Sequence, residues 1–155
     1  QYNVYIDEYL AKIGFYKYEI SNYARDGYES KHNLAYWHYD NYYGIGIGAC
    51  SKIDDQIIEH SRSLTKYLTH TAKHKIIQQS QEDTMFNHLM MSLRLKEGLD
   101  LEKFSNLYHK DACLLYKDAI DKNISNGCLN IKNNYLRVSD KGMYMLNQIL
   151  LDFLE

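Results

Sequence analysis

Residues 32–37 read HNLAYW and place the chain's only tryptophan five positions after a histidine. A histidine ring that is neutral near physiological pH ligates iron or another metal through one nitrogen. The faces of Tyr36 and Trp37 suit a flat macrocycle or a nucleobase. His32, Asn33, Tyr36 and Trp37 are therefore a candidate site, with a hydrogen-bonded, purely structural His32 as the open alternative. Downstream, YYGIGIGACS sets Gly44, Gly46 and Gly48 at alternate positions, ahead of Ala49 and Cys50. On a strand these glycines would leave bare backbone on one face for a cofactor, and a tight bend or bulge would use them equally well. The spacing GxGxG is not the dinucleotide fingerprint, which is GxGxxG leading into a helix. Upstream, YKYEISNYA offers Glu19 and Ser21 on one face of a strand, with Asn22 opening the loop. Such polar groups either meet a ligand at a strand end or cap the loop that follows.

The elements that must position these groups are read from periodicity. Val4, Ile6, Tyr9, Leu10 and Ile13 recur at helical spacing and Gly14 follows as a C-cap. Tyr16 to Ser21 reads as a short strand, 22–31 as a polar loop, and His32 to Tyr39 as one or two helical turns. Tyr42 to Cys50 reads as a strand and 51–63 as a hairpin turning at Asp54 and Asp55. Ser63 caps a helix from Leu64 to about Ala72, and Ile76 to Ser80 is extended. From residue 81 the texture becomes helical. Met85, Leu89, Met90, Leu93 and Leu95 mark a helix ending near Gly98. Asp100 caps a short helix with Phe104 and Leu107 facing in, and another helix runs from Asp111 to about Asn126. CLNIKNNYLRVS is a hairpin around Asn133 and Asn134. SDKG then opens a closing helix carrying Met143, Leu146, Ile149, Leu150 and Phe153. The expected organisation is an α+β chain in two parts, 1–80 and 81–155, the second with the helices–hairpin–helix order of a winged helix.

Composition bounds the rest. A chain of 155 residues with a formal charge of −2 lacks the clustered cations that a broad nucleic-acid footprint needs. Arg137 and Lys141 beside the hairpin do not make a basic face. No apolar run approaches the roughly 20 residues of a membrane span. Cys50, Cys113 and Cys128 are widely spaced, so no zinc or iron–sulfur site is legible, and free thiols in a reducing cytosol account for them. His70 and His74 have HxxxH spacing without an acidic residue between them, so chance explains the pair. Sixteen tyrosines and no proline leave Gly, Asn and Asp as the only turn markers.

Three stretches occur together in one known family. GFYKYEISNYARDGYESKHNLAYWHYDNYYGIGIGACS resembles the back half of the catalytic barrel in radical S-adenosylmethionine proteins of the oxygen-independent coproporphyrinogen III oxidase group. Its HNxxYW element is similar to the HemW branch, regarded as heme chaperones. LRLKEGLDLEKF, the GCLNIKNNYLRVSDKG wing and the closing helix resemble that group's C-terminal domain. The resemblance implies a partial, open end of a radical-S-adenosylmethionine-type α/β barrel over 1–80, with YEISN and GIGIG as neighbouring strands, followed by a mostly helical, winged-helix-like domain over 81–155.

It implies heme iron at His32, with Asn33, Tyr36 and Trp37 shaping the pocket. It implies S-adenosylmethionine against Gly44, Gly46, Gly48, Ala49 and Cys50, and a cofactor-facing role for Glu19, Ser21 and Asn22. The family's CxxxCxxC motif for a 4Fe-4S cluster is absent, so the chain is expected to be a C-terminal portion that does not hold the cluster alone. Heme, heme-accepting proteins and a cytoplasmic location, peripheral to the membrane, are the implied partners and place. Oxidative decarboxylation of coproporphyrinogen III is the rival activity. Severed barrel strands would leave an unpaired edge, so 1–80 is expected to pair across a dimer or to form a small open sheet.

Overall fold

The computed structural model describes residues 2–154. Helix α1 (Tyr2–Lys12) closes at Gly14, whose φ of +81° is open to glycine and whose amide donates to the Ala11 carbonyl at 3.1 Å. A tight antiparallel hairpin follows, β1 (Tyr16–Lys17) on β2 (Tyr23–Ala24), with Tyr16 opposite Ala24. The strand expected over Tyr16 to Ser21 is thus only two residues long. Glu19 departs from it to bridge Leu95, and the Tyr18 amide closes the turn on the Asn22 carbonyl at 3.3 Å. Helix α2 (Lys31–Trp37) begins at Ser30, whose hydroxyl accepts from the Asn33 amide, and stops at Tyr39 with φ +58°.

The strand expected over Tyr42 to Cys50 is corrected. Only Tyr42 pairs, with Lys52, and the chain then loops until β3 (Cys50–Ile53). Gly46 and Gly48 have φ +100° and +67°, outside the extended region, so the glycines build a turn instead of a flat face. Strand β4 (Gln56–Glu59) returns through a turn holding Asp54 at φ +52°. Helix α3 (Leu64–Leu68), capped by Ser63 and shorter than expected, leads to β5 (Lys75–Gln78). The sheet order is β3–β4–β5, antiparallel throughout. Neither YEISN nor GIGIG lies in a parallel pair. Among the described residues the sheets are small and open, as expected for 1–80, and none closes into a barrel.

Helix α4 (Gln81–Ser92) starts with a reciprocal cap between Ser80 and Asp83 and ends at Leu93, a turn and a half before Gly98. Strand β6 (Leu99–Asp100), which periodicity did not reveal, leads into α5 (Leu101–Tyr108) under the Asp100 cap. The expected helix from Asp111 to Asn126 is two, α6 (Ala112–Leu115) and α7 (Lys117–Ser125), broken at Tyr116. Strands β7 (Leu129–Lys132) and β8 (Tyr135–Val138) form the expected hairpin, with Asn133 and Asn134 at φ +52° and +65° in its turn. The closing helix is likewise divided into α8 (Asp140–Met143) and α9 (Leu146–Leu151).

The core lies in this second part. Leu89, Leu93, Leu99, Phe104, Leu136 and Leu146 are essentially sealed from solvent. Leu107 does not face in. It is 58% exposed, and Phe104 pairs instead with Tyr108, one full turn on. The first part docks against α4 and the segment after it. The Ser92 hydroxyl donates to the Trp37 carbonyl at 3.4 Å and the Lys96 amide to the Tyr18 carbonyl at 3.0 Å. Most of its apolar side chains stay outside the core. Val4, Tyr5, Ile6, Tyr9 and Ile13 of the first helix and its cap are all exposed.

Candidate functional site

Six of the seven residues of α2 form the HNLAYW motif, and helical geometry decides which of them meet. His32 and Tyr36 are one turn apart, so they stack along one face. Their rings are 4.7 Å apart at 77°. Tyr36 in turn packs on Tyr42 at 4.3 Å. His32 is exposed and makes no hydrogen bond or ion pair among the described residues. Asn33 reaches the first hairpin, where its side-chain amide donates to the Tyr18 hydroxyl at 3.3 Å.

Trp37 follows Tyr36 by one residue and so points about 100° away from it. Its ring lies beneath the Arg94 guanidinium at 5.6 Å, toward α4. Its indole nitrogen is buried without a hydrogen-bond partner. Tyr36 and Trp37 therefore do not form two walls of one pocket, as the sequence motif suggests. A third face of α2 presents Leu34 and His38 to a cavity of about 650 Å³ that Tyr18 and Leu95 also line. His38 pairs there with Glu97 at 3.3 Å.

The aromatic shelf continues through Tyr42 to Cys50. Burial pushes the Tyr42 hydroxyl up to about 12, and the neighbouring Cys50 and Tyr36 side chains act in the same direction. Gly44 is explained by this junction. A Cβ there would collide with the Cys50 carbonyl, while its amide donates to the Ser51 hydroxyl at 2.9 Å. A Cβ at Gly46 would meet nothing within 4 Å. The close approach that needs a bare glycine is thus backbone on backbone, at Gly44. Gly48 and Ala49 hold the end of the next hairpin, Gly48 through its amide to the Ser61 carbonyl and Ala49 through its carbonyl to the His60 amide.

Glu19 sits apart. It is fully buried where the first hairpin meets Leu95, with Oε1 accepting from the Ser21 hydroxyl at 3.3 Å and Oε2 unpartnered. Ser21 and Asn22 are exposed on the turn. The polar end of YEISN is therefore split, with one carboxylate turned inward and two groups turned out. Sequence reasoning missed Tyr42, Tyr18 and Arg94, the residues that receive the motif's side chains. With sixteen tyrosines in the chain, no single one was marked by its spacing.

A metal cluster finds no ligand set here. No group of three His, Cys, Asp or Glu among the described residues is arranged to hold a metal ion. Cys50, Cys113 and Cys128 are free. An axial imidazole is a different demand, needing one accessible ring nitrogen beside flat apolar surface. His32 is exposed with its ring against Tyr36, which packs on Tyr42.

Comparison with known proteins places this geometry. Residues 79–145 match the HemN C-terminal domain family. The heme chaperone HemW of Lactococcus lactis is 32% identical over 153 residues, which is 97% of this chain and 40% of that protein. The Escherichia coli heme chaperone HemW is 28% identical over 94% of this chain and 39% of that protein. The coproporphyrinogen III oxidase HemN of Escherichia coli, a radical SAM enzyme, superposes over 97% of this chain and 39% of that chain. Its TM-score is 0.69 at 14% identity, a likeness of fold. The chain spans about 40% of the length of the curated relatives it matches.

Proposed function

We propose that this chain, which belongs to the family of HemW and HemN proteins, contributes the heme-binding surface of a heme chaperone. The reading extends the name of the relatives to an imidazole that the fold leaves exposed against a pair of tyrosines. Heme binds through iron ligation by a His32 ring nitrogen, while Tyr36 and Tyr42 supply flat apolar contact. The exposure of His32 beside the Tyr36 ring, 4.7 Å away, supports this. A site so exposed suits cargo that must leave again for a heme-accepting protein. That His32 is exposed beside Tyr36 and bears no hydrogen bond or ion pair among the described residues is the observation that carries the reading.

Radical chemistry with S-adenosylmethionine and a 4Fe-4S cluster belongs, on this reading, to parts of a longer protein outside these residues. There the open sheets and the apolar face of the first helix would meet the rest of a barrel, with 1–80 as barrel portion and 81–155 as the appended domain. Asn33 and Tyr18 brace the heme helix, and Glu19 and Trp37 fix its seat on the second part. Ser21, Asn22, Gly46, Gly48, Ala49 and Cys50 border the cofactor cavity of the whole protein. No helix among the described residues is long and apolar enough to cross a membrane. The proposal places the protein in the cytoplasm, meeting membrane-bound acceptors at the surface. Coproporphyrinogen III decarboxylation is the weaker reading, because the relatives that cover nearly the whole chain are named heme chaperones.

Titration of ferric heme into the protein and into His32→Ala, followed at the Soret band, tests this. The variant is expected to bind at least about tenfold more weakly, a loss of roughly 1.4 kcal/mol, and to shift the band as the axial ligand changes. Equal affinity and an unchanged band in the variant would remove His32 as the ligand.

A further inference from the structure

We infer that the mouth of the β3–β4–β5 sheet holds an oxyanion site, one that takes a carboxylate or phosphate group. A cavity of about 390 Å³ opens between the 48–50 turn, the end of β4 and the entry to β5. Arg62, Lys73 and Lys75 converge on it, against one carboxylate, Glu59. Lys75 is opposite Glu59 in the β4–β5 register, and the two pair at 3.7 Å. Arg62 and Lys73 have no ion pair or hydrogen bond through their side chains among the described residues. The concavity therefore carries two uncompensated cations, and a walled pocket focuses such charge onto an anion entering it. A guanidinium offers paired donors that match the spacing of carboxylate and phosphate oxygens.

The backbone is shaped for this. The Gly48 amide donates to the Ser61 carbonyl at 3.1 Å and the His60 amide to the Ala49 carbonyl at 2.9 Å. These two bonds extend the sheet past its last paired residues and fix the wall that Arg62 leaves from. A Cβ at Gly48 would come 3.4 Å from Arg62 Cγ, so the arginine stem passes directly over the bare glycine. His60 lines the cavity, and its ring packs on His74 at 4.4 Å. The inference stands independently of heme at His32, since Arg62, Lys73 and Lys75, the groups that would bind the anion, do not belong to that shelf. The two sites adjoin, however. Cys50 lines the cavity and also touches Tyr42, which stacks on Tyr36.

Inorganic pyrophosphate titrated into the full chain, observed through the imidazole proton resonances of His60 and His74 by NMR, is the direct test. A saturable shift is expected. In Arg62→Gln/Lys73→Gln, both exposed positions, binding should weaken at least tenfold while the circular dichroism spectrum and melting temperature stay the same. No saturable shift, or equal binding by the double variant, overturns the site. Ferric heme and its dimethyl ester then name the source of the oxyanion. Tighter binding of the diacid that vanishes in the double variant, and that pyrophosphate competes away, assigns the pocket to porphyrin carboxylates. Saturable pyrophosphate binding with equal affinities for heme and ester assigns it to a phosphate-bearing ligand. Absence of any Soret change in the unmodified protein would sink heme binding and leave the pyrophosphate result to decide this site alone.

Discussion

Gly98→Ala is expected to destabilise the protein by about 3 kcal/mol or more, from the left-handed backbone penalty and a steric clash combined. Gly98 is buried, has φ +82°, and joins the end of α4 to β6. A Cβ there would collide with the Leu136 carbonyl oxygen and come 2.9 Å from Arg137 Cγ. Leu136 is the β8 partner of Leu99, the residue after the glycine. The new methyl would therefore force apart the pair that ties β6 into its sheet. Both Leu99 and Leu136 are in the sealed core, so the backbone cannot retreat without opening it. Gly127→Ala is the control. Gly127 has φ +70° but a Cβ there meets nothing within 4 Å, so only the conformational penalty of about 1–2 kcal/mol applies. Urea unfolding of both variants measures the difference, which should be about 2 kcal/mol. A Gly98→Ala midpoint no lower than that of Gly127→Ala would contradict the packing described for β6.

The same glycine shows why parts of the fold were legible in the sequence and others not. Local signals with one mechanism read correctly. Ser63 and Asp100 cap the helices they precede, Asn133–Asn134 turns the hairpin, and Met143, Leu146, Ile149, Leu150 and Phe153 are buried at helical spacing. Signals with two mechanisms did not. Alternate glycines serve a flat strand or a turn, and only the positive φ at Gly46 and Gly48 decides for the turn. Strand β6 is two residues long, too short for a period of two to register. The breaks at Tyr116 and between α8 and α9 carry no proline or glycine, so the sequence reads through them.

For the site, the sequence placed His32, Asn33, Tyr36 and Trp37 on one short helix, and they are there. What it could not supply is which neighbour each side chain meets. Tyr36 meets Tyr42, six residues on, across a loop, and Trp37 meets Arg94, 57 residues on by the numbering, across the seam between the two parts. Tertiary pairing of that range leaves no trace in spacing. The seam itself is built from polar and aromatic groups, with Glu19 and the Trp37 indole nitrogen buried at it and each leaving an atom unpaired. Such atoms are costly to leave unsatisfied, so the seat of α2 rests on the rigidity of α4 beneath it.

That rigidity is expected to fail in acid through His88. The histidine is buried on α4, with Nδ1 3.2 Å from the Tyr108 hydroxyl and its ring against Tyr39 and Phe104. Burial lowers its pKa from the ordinary 6.5 to about 4. Lys103, Lys52 and His38 oppose its protonation further, and Asp40 partly offsets them. The neutral ring is thus the native form. The unfolded chain takes up a proton near its ordinary value while the folded chain does not, so the unfolded state binds more protons across this window. Stability is full above pH 6.5 and declines as pH falls toward 4, by about 3 kcal/mol in all. The window is separate from the carboxylates. Asp7 and Asp152 are lowered below the ordinary 3.8, by the Tyr23 and Lys17 hydrogen bonds for Asp7, against its burial, and by the Lys122 hydrogen bond for Asp152. Their share is lost only in stronger acid. Urea unfolding at pH 7, 5.5 and 4.2 should show the decline, and His88→Gln, which cannot titrate, should flatten it. NMR titration of the unmodified protein gives the same answer without a variant. A folded His88 imidazole that takes up its proton near 6.5, or a stability that holds level from pH 6.5 to 4, would show that this ring is not sealed into the core beneath α2.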